Sequence, residues 1–76
     1  MIELYDIDNQ KGKYELLFMF NKNNKNFIVY EDKDNEILAS YYEKDGDKLI
    51  ITPILDDNDY DIVDKELKKW WNNNEI

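Results

Sequence analysis

The chain contains no cysteine, no histidine and no arginine, and only two glycines and one proline. Without cysteine there is no thiol nucleophile and no disulfide. Without histidine no imidazole can serve as acid, base or transition-metal ligand, and without arginine no planar guanidinium can clamp a phosphate. Hydroxyls are scarce as well: one serine (Ser40), one threonine (Thr52) and the tyrosines. The shortage of Gly and Pro argues against low-complexity disorder, although 37% of the residues are charged. No apolar run approaches the ~20 residues that span a bilayer. Met1-Ile2-Glu3-Leu4 offers neither a basic start nor a long apolar stretch, so no signal peptide is expected. With no disulfide available, the reducing cytoplasm is the expected setting.

What is present suits one small domain over 1–76. A chain of 76 residues buries only about 60% of its unfolded surface, so its core is small. The hydrophobic fraction is 42%, rich in Tyr, Ile, Leu and Phe, and the formal net charge is -8. That charge repels phosphate backbones and anionic lipid, so neither a nucleic acid nor a membrane is the expected partner. Ten lysines with no arginine, alongside ten asparagines, read as the composition of an AT-rich genome.

Strand patterns come first along the chain, then one helix. Ile2 to Ile7, Lys13 to Phe20, Asn26 to Glu31, Glu36 to Glu43 and Lys48 to Pro53 read as strands, separated by short polar turns. In the second, Tyr14, Leu16, Phe18 and Phe20 fall on one face by simple alternation. Asp45-Gly46 is a favoured type I′ pair. As a two-residue loop it sets Glu43 opposite Lys48 and Tyr42 opposite Leu49. After Pro53, Asp57 or Asn58 can cap a helix of about 58–72, ended by Asn72-Asn73-Asn74. Tyr60, Val63, Leu67, Trp70 and Trp71 form its apolar arc, and Ile62 stands off that arc. The expected fold is α+β: a curved antiparallel meander of about five strands, within 1–55, with the C-terminal helix packed on one face. Both sheet faces carry apolar residues and one helix covers one of them. The second face must therefore curl on itself, pack on the N-terminus or meet another molecule.

The segment Ile37-Leu38-Ala39-Ser40-Tyr41-Tyr42, then Leu49-Ile50-Ile51-Thr52-Pro53-Ile54, then Asp56-Asp57 and the helix from about Tyr60, resembles the YrzB-like family. The opening Asp6 to Phe20, with its Asp-Asn-Gln-Lys-Gly turn, is similar to that family's first hairpin. These are small acidic bacterial proteins of unknown function. The resemblance implies the strand–hairpin–strand–helix order and a cytoplasmic setting, and it implies no activity. The Lys/Asn-rich middle and the tandem Trp70-Trp71 depart from the family's Glu-rich pattern.

The acidic run from Asp56 to Asp61 invites comparison with a calcium loop. Counted as an EF-hand from Asp57, it places Ile62 where the glycine belongs and Lys68 where the bidentate glutamate belongs, so capping explains it better. Asp32, Asp34 and Glu36 read as turn chemistry. No metal site, cofactor or catalytic set is expected, and the chain does not read as an enzyme. The residues that could face a partner are Trp71 and Ile62 on the helix, Tyr41 on the sheet, and the acidic Asp56, Asp57 and Asp59. Tryptophan is enriched at binding hot spots, which singles out Trp71. The expected function is a small cytoplasmic module that binds another protein or a second copy of itself. The rival is an acidic mimic of nucleic acid that occupies the groove of a basic DNA- or RNA-binding protein.

Overall fold

The computed structural model describes residues 1–74; the last two residues of the expected 1–76 domain lie outside the described part. Five strands precede one helix: β1 (Ile2–Tyr5), β2 (Lys11–Lys22), β3 (Lys25–Glu31), β4 (Ile37–Asp45), β5 (Lys48–Pro53) and α1 (Asp57–Asn74). Successive strands pair antiparallel in chain order. With an odd number of alternating strands, the first and fifth run in the same direction, so any closure between them must be parallel. It is: Leu4 lies opposite Leu49 and Tyr5 opposite Ile50. The α+β class and the strand order are as expected, but the sheet closes into a small barrel instead of remaining an open curved meander. Closure hides one apolar face inside the barrel and removes much of the edge that a flat sheet exposes.

Two cores result. The barrel interior holds Leu4, Ile28 and Tyr30, with Ile2, Tyr14, Met19, Leu38, Tyr42, Leu49 and Ile51 packed around them. Inside it the Tyr30 hydroxyl and Ser40 Oγ are hydrogen-bonded at 2.8 Å, and burial pushes the Tyr30 hydroxyl above its ordinary value. The outer core lies between the sheet and α1, built on Phe27, Val29, Ile54 and Val63. The alternation of β3 thus serves both cores, Phe27 and Val29 outward and Ile28 and Tyr30 inward. The second apolar face is covered by the chain's own curl.

Turn chemistry fixes the registers, not always where the sequence pointed. The type I′ pattern sits at Asn23-Asn24, with φ of 55° and 63°, and Lys22 lies opposite Lys25. Asparagine tolerates this left-handed region. At the β4–β5 tip only Gly46 has positive φ. The two-residue loop is therefore Gly46-Asp47, glycine first in the manner of a type II′ turn, with Asp45 opposite Lys48, Glu43 opposite Ile50 and Tyr42 opposite Ile51. The hairpin forms, but the pairing of Glu43 with Lys48 does not. The two acidic turns share one design, Asp-x-Asp-Asn-Gln/Glu. Asp6 Oδ1 accepts from the N–H of Asp8 and Gln10, and Asp32 Oδ1 from those of Asp34 and Glu36. The fourth residue, Asn9 or Asn35, takes φ of 63° in each.

In β2 the register shifts between Leu16, opposite Tyr30, and Phe18, opposite Val29. This bulge at Leu17 breaks the expected single face. Tyr14 stays in the barrel interior, whereas Leu17, Phe18 and Phe20 all turn to the helix side. A Cβ on Gly12 would meet the Tyr14 ring, so this glycine leaves room for Tyr14, whose ring packs edge-on against Tyr30 at 4.9 Å.

The helix is turned relative to its expected arc. Val63 is buried, and Ile62 and Leu67 pack on the same outer core. Tyr60, expected to be buried, is 50% exposed, whereas Asp59 is 3% exposed. The stripe turned inward is 59, 62, 63, 66, 67 and 70, buried at 59 and 63 and half-buried elsewhere; it keeps Val63, Leu67 and Trp70 of the expected arc and adds 59, 62 and 66 in place of Tyr60 and Trp71. Asp56 supplies the cap in place of Asp57 or Asn58: its Oδ1 accepts from Asn58 N–H at 2.8 Å. The helix extends to Asn74, within the Asn72-Asn73-Asn74 run and two residues past the expected bound of about 72.

Candidate functional site

The rotation of α1 carries Asp59 against the sheet and builds a polar cluster into an otherwise aromatic surface. Asp59 Oδ2 accepts a hydrogen bond from the Tyr41 hydroxyl and a second from Lys25 Nζ at 2.8 Å. Lys25 Nζ also stands 5.8 Å from the centre of the Tyr41 ring. The hairpin geometry places these groups: Lys25 follows the Asn23-Asn24 turn, shares the outer face with Phe27, and Phe27 lies opposite Tyr41. Lys22 and Lys25 face each other across that turn, and Asp59 offsets the like-charge pairing.

The electrostatics of the cluster are consistent. The hydrogen bonds from Lys25 and then Tyr41 hold the Asp59 carboxyl below its ordinary value. The bond to Asp59, with a smaller share from burial, pushes the Tyr41 hydroxyl up. The same carboxylate raises the Lys25 ammonium. All three groups thereby titrate further from pH 7 than they ordinarily do.

An open cleft of about 450 Å³ adjoins this cluster, lined by Asn24, Lys25, Asn26, Tyr41, Tyr42, Glu43 and Thr52. It offers aromatic surface, an ammonium, a carboxylate, amides and hydroxyls. Behind it, ring contacts continue across the sheet: Tyr41 tilted on Phe27 at 5.4 Å, then stacked pairs of Phe27 with Phe20 at 4.7 Å, Phe20 with Phe18 at 5.9 Å and Phe18 with Trp70 at 5.6 Å. These contacts hold the floor of the cleft on a rigid scaffold.

Of the residues picked from sequence, the structure brings Tyr41 and Asp59 together, and Asp56 caps the helix three residues before Asp59. Asp57 is exposed in the first helical turn. Ile62 does not stand free on the polar side, because it packs into the outer core. Trp71 is 49% exposed and lies twelve residues beyond Asp59, about 18 Å along the helix, outside the cleft. Asn24, Lys25, Asn26, Tyr42, Glu43 and Thr52 were missed. The bond between Lys25 and Asp59 spans 34 residues and leaves no local signature. The available signal was the Asn23-Asn24 pair: read as a type I′ turn, it puts Lys25 on the face of Phe27 and Tyr41.

Among the described residues, no group of three or more carboxylates is arranged to hold a metal ion, and no helix is long and apolar enough to cross a membrane. Comparison with family models, curated proteins and solved structures gives no match.

Proposed function

We propose that this chain is a small protein-binding module, and that the cleft beside Tyr41 receives an extended segment of its partner. The observation that carries the reading is the cleft itself: an open volume of about 450 Å³ beside Tyr41, lined with mixed hydrogen-bonding groups, on a site fixed by the Asp59–Tyr41–Lys25 bonds. Aromatic anchors with a polar rim are the chemistry of protein recognition. Catalysis is no part of the proposal. A general acid or base at neutral pH needs a pKa drawn toward 7, and here Asp59 is lowered while Tyr41 and Lys25 are raised.

The mimic reading finds less support. Several carboxylates are engaged in turns and caps (Asp6, Asp32, Asp56) or in ion pairs with lysines (Glu3, Asp59, Asp64, Glu66). They are not reserved for a row of phosphate-like charges.

The test is photo-crosslinking in the source cells, with a benzophenone side chain in place of Thr52 in one variant and Asp61 in another. A discrete protein adduct from position 52, and none from position 61 on the exposed side of the helix, is the expected result. Equal adducts from both positions, or none from 52, would overturn the reading.

A further inference from the structure

The strands differ greatly in length. β2 has twelve residues and β1 four, and β1 pairs with β2 only over Lys11 to Tyr14. Among the described residues, no strand therefore lies against β2 from Glu15 to Lys22 on the side away from β3. This open edge has a particular make-up. Leu16-Leu17-Phe18-Met19-Phe20 are five uncharged apolar residues, with Glu15 at one end and Lys22 beyond Asn21 at the other. A long apolar edge is a template for another strand.

We propose that a second copy of this chain occupies the edge, β2 pairing antiparallel with β2 about a two-fold axis at Met19. The proposal does not rest on the cleft, which the edge approaches only at the β2–β3 turn, where Lys22 lies opposite Lys25. Opposed residues in an antiparallel pair project from the same face. With the axis at Met19, Met19 meets its own counterpart on the barrel-interior face, and Phe18 meets Phe20 on the outer face. The bulge at Leu17 then shifts the register by one, as it does against β3. Asn21 meets Leu16, and Lys22 meets Glu15. Glu15 and Lys22 both belong to the outer face, since they lie opposite Glu31 and Lys25. Without that shift Lys22 would fall opposite Leu16 and Glu15 would lose its partner. The edge is thus complementary to itself. Its charged ends match twice, its middle is apolar, and the pairing is isologous. Trp71, half exposed beside the Trp70 ring that stacks on Phe18, extends apolar surface along the same flank.

The test is sedimentation equilibrium of the full chain from low micromolar to millimolar concentration. A mass rising toward twice 9.3 kDa is expected. K22E sets like charges opposite each other at both ends and weakens the dimer by about tenfold or more, and E15K does the same. The double variant E15K/K22E restores it. Both positions are exposed, so unchanged melting curves of the variants at low micromolar concentration confirm the fold. A cleft variant, T52W, leaves the dimer unaltered. A monomer at millimolar concentration would overturn the proposal, as would a dimer indifferent to K22E, or single-variant losses that the double variant does not recover.

Discussion

Val63→Ala and Tyr60→Ala report directly on how α1 meets the barrel. Val63 is 7% exposed within the outer core and Tyr60 is 50% exposed. Removing two buried methyl groups from Val63 forfeits about 1.6 kcal/mol of transfer energy, at about 0.8 per group, and a residual cavity adds some tenths. Alanine is the better helix former and returns up to about 0.5 kcal/mol. The net expected loss is about 1.5 kcal/mol. A domain of this size has a total stability of about 4–11 kcal/mol, so the loss lowers Tm by roughly 6–12 °C. Tyr60→Ala removes a larger side chain but a half-solvated one, and falls within about 0.5 kcal/mol of wild type. Urea titration followed by far-UV circular dichroism measures both. Were the helix turned so that Tyr60 packed on the sheet, the order would invert, with Tyr60→Ala costing about 3 kcal/mol or more. A greater loss at Tyr60 than at Val63 refutes the orientation described here.

Other outcomes follow from named contacts. Phe27 is fully buried, stacks on Phe20 and packs at a tilt against Tyr41; Phe27→Ala costs about 3–5 kcal/mol, seen as a near-complete loss of cooperative melting. Asp56→Ala removes the helix cap and costs about 1 kcal/mol by the same titration. Asn24→Gly places the residue best suited to positive φ in the β2–β3 turn and raises stability by a few tenths of a kcal/mol, whereas Asn24→Val lowers it. Stability against pH has two limbs. Asp59 is lowered on folding, so its contribution is complete above the ordinary value of 3.8 and is lost as pH falls through the depressed folded value. Tyr41 and Lys25 are raised, so theirs is complete below about 10 and is lost as pH rises through the folded values. Asp59→Asn flattens the acid limb of a pH series of urea midpoints, and an unchanged limb would count against the cluster.

Local rules were enough for element type and order, because each strand carries its own apolar pattern and each turn its own Asp, Asn or Gly. What they missed depends on contacts distant in sequence. Alternation along β2 placed Tyr14, Leu16, Phe18 and Phe20 together, and only the pairing with β3 reveals the bulge at Leu17 that sends Phe18 and Phe20 to the helix. The arc of α1 was read from its aromatic residues. A carboxylate counts as polar in such a pattern, yet Asp59 is buried because Lys25 and Tyr41 from two other strands satisfy it. Barrel closure was beyond local reading, since it rests on the parallel pairing of residues 4 and 5 with 49 and 50. Tyr41 and Asp59 were legible as surface candidates, one for its aromatic ring and the other for its charge. Their union with Lys25 required the three-dimensional register.

The most direct test of the account is residue-resolved NMR of isotopically labelled protein in an extract of the source cells, compared with buffer. A partner seated in the cleft selectively broadens or shifts the amides of Asn24, Lys25, Asn26, Tyr41, Tyr42, Glu43 and Thr52, the residues that line it. Those on the exposed side of α1, such as Asp61 and Lys65, keep their positions. Perturbation confined to the helix, with the cleft amides unmoved, would contradict it.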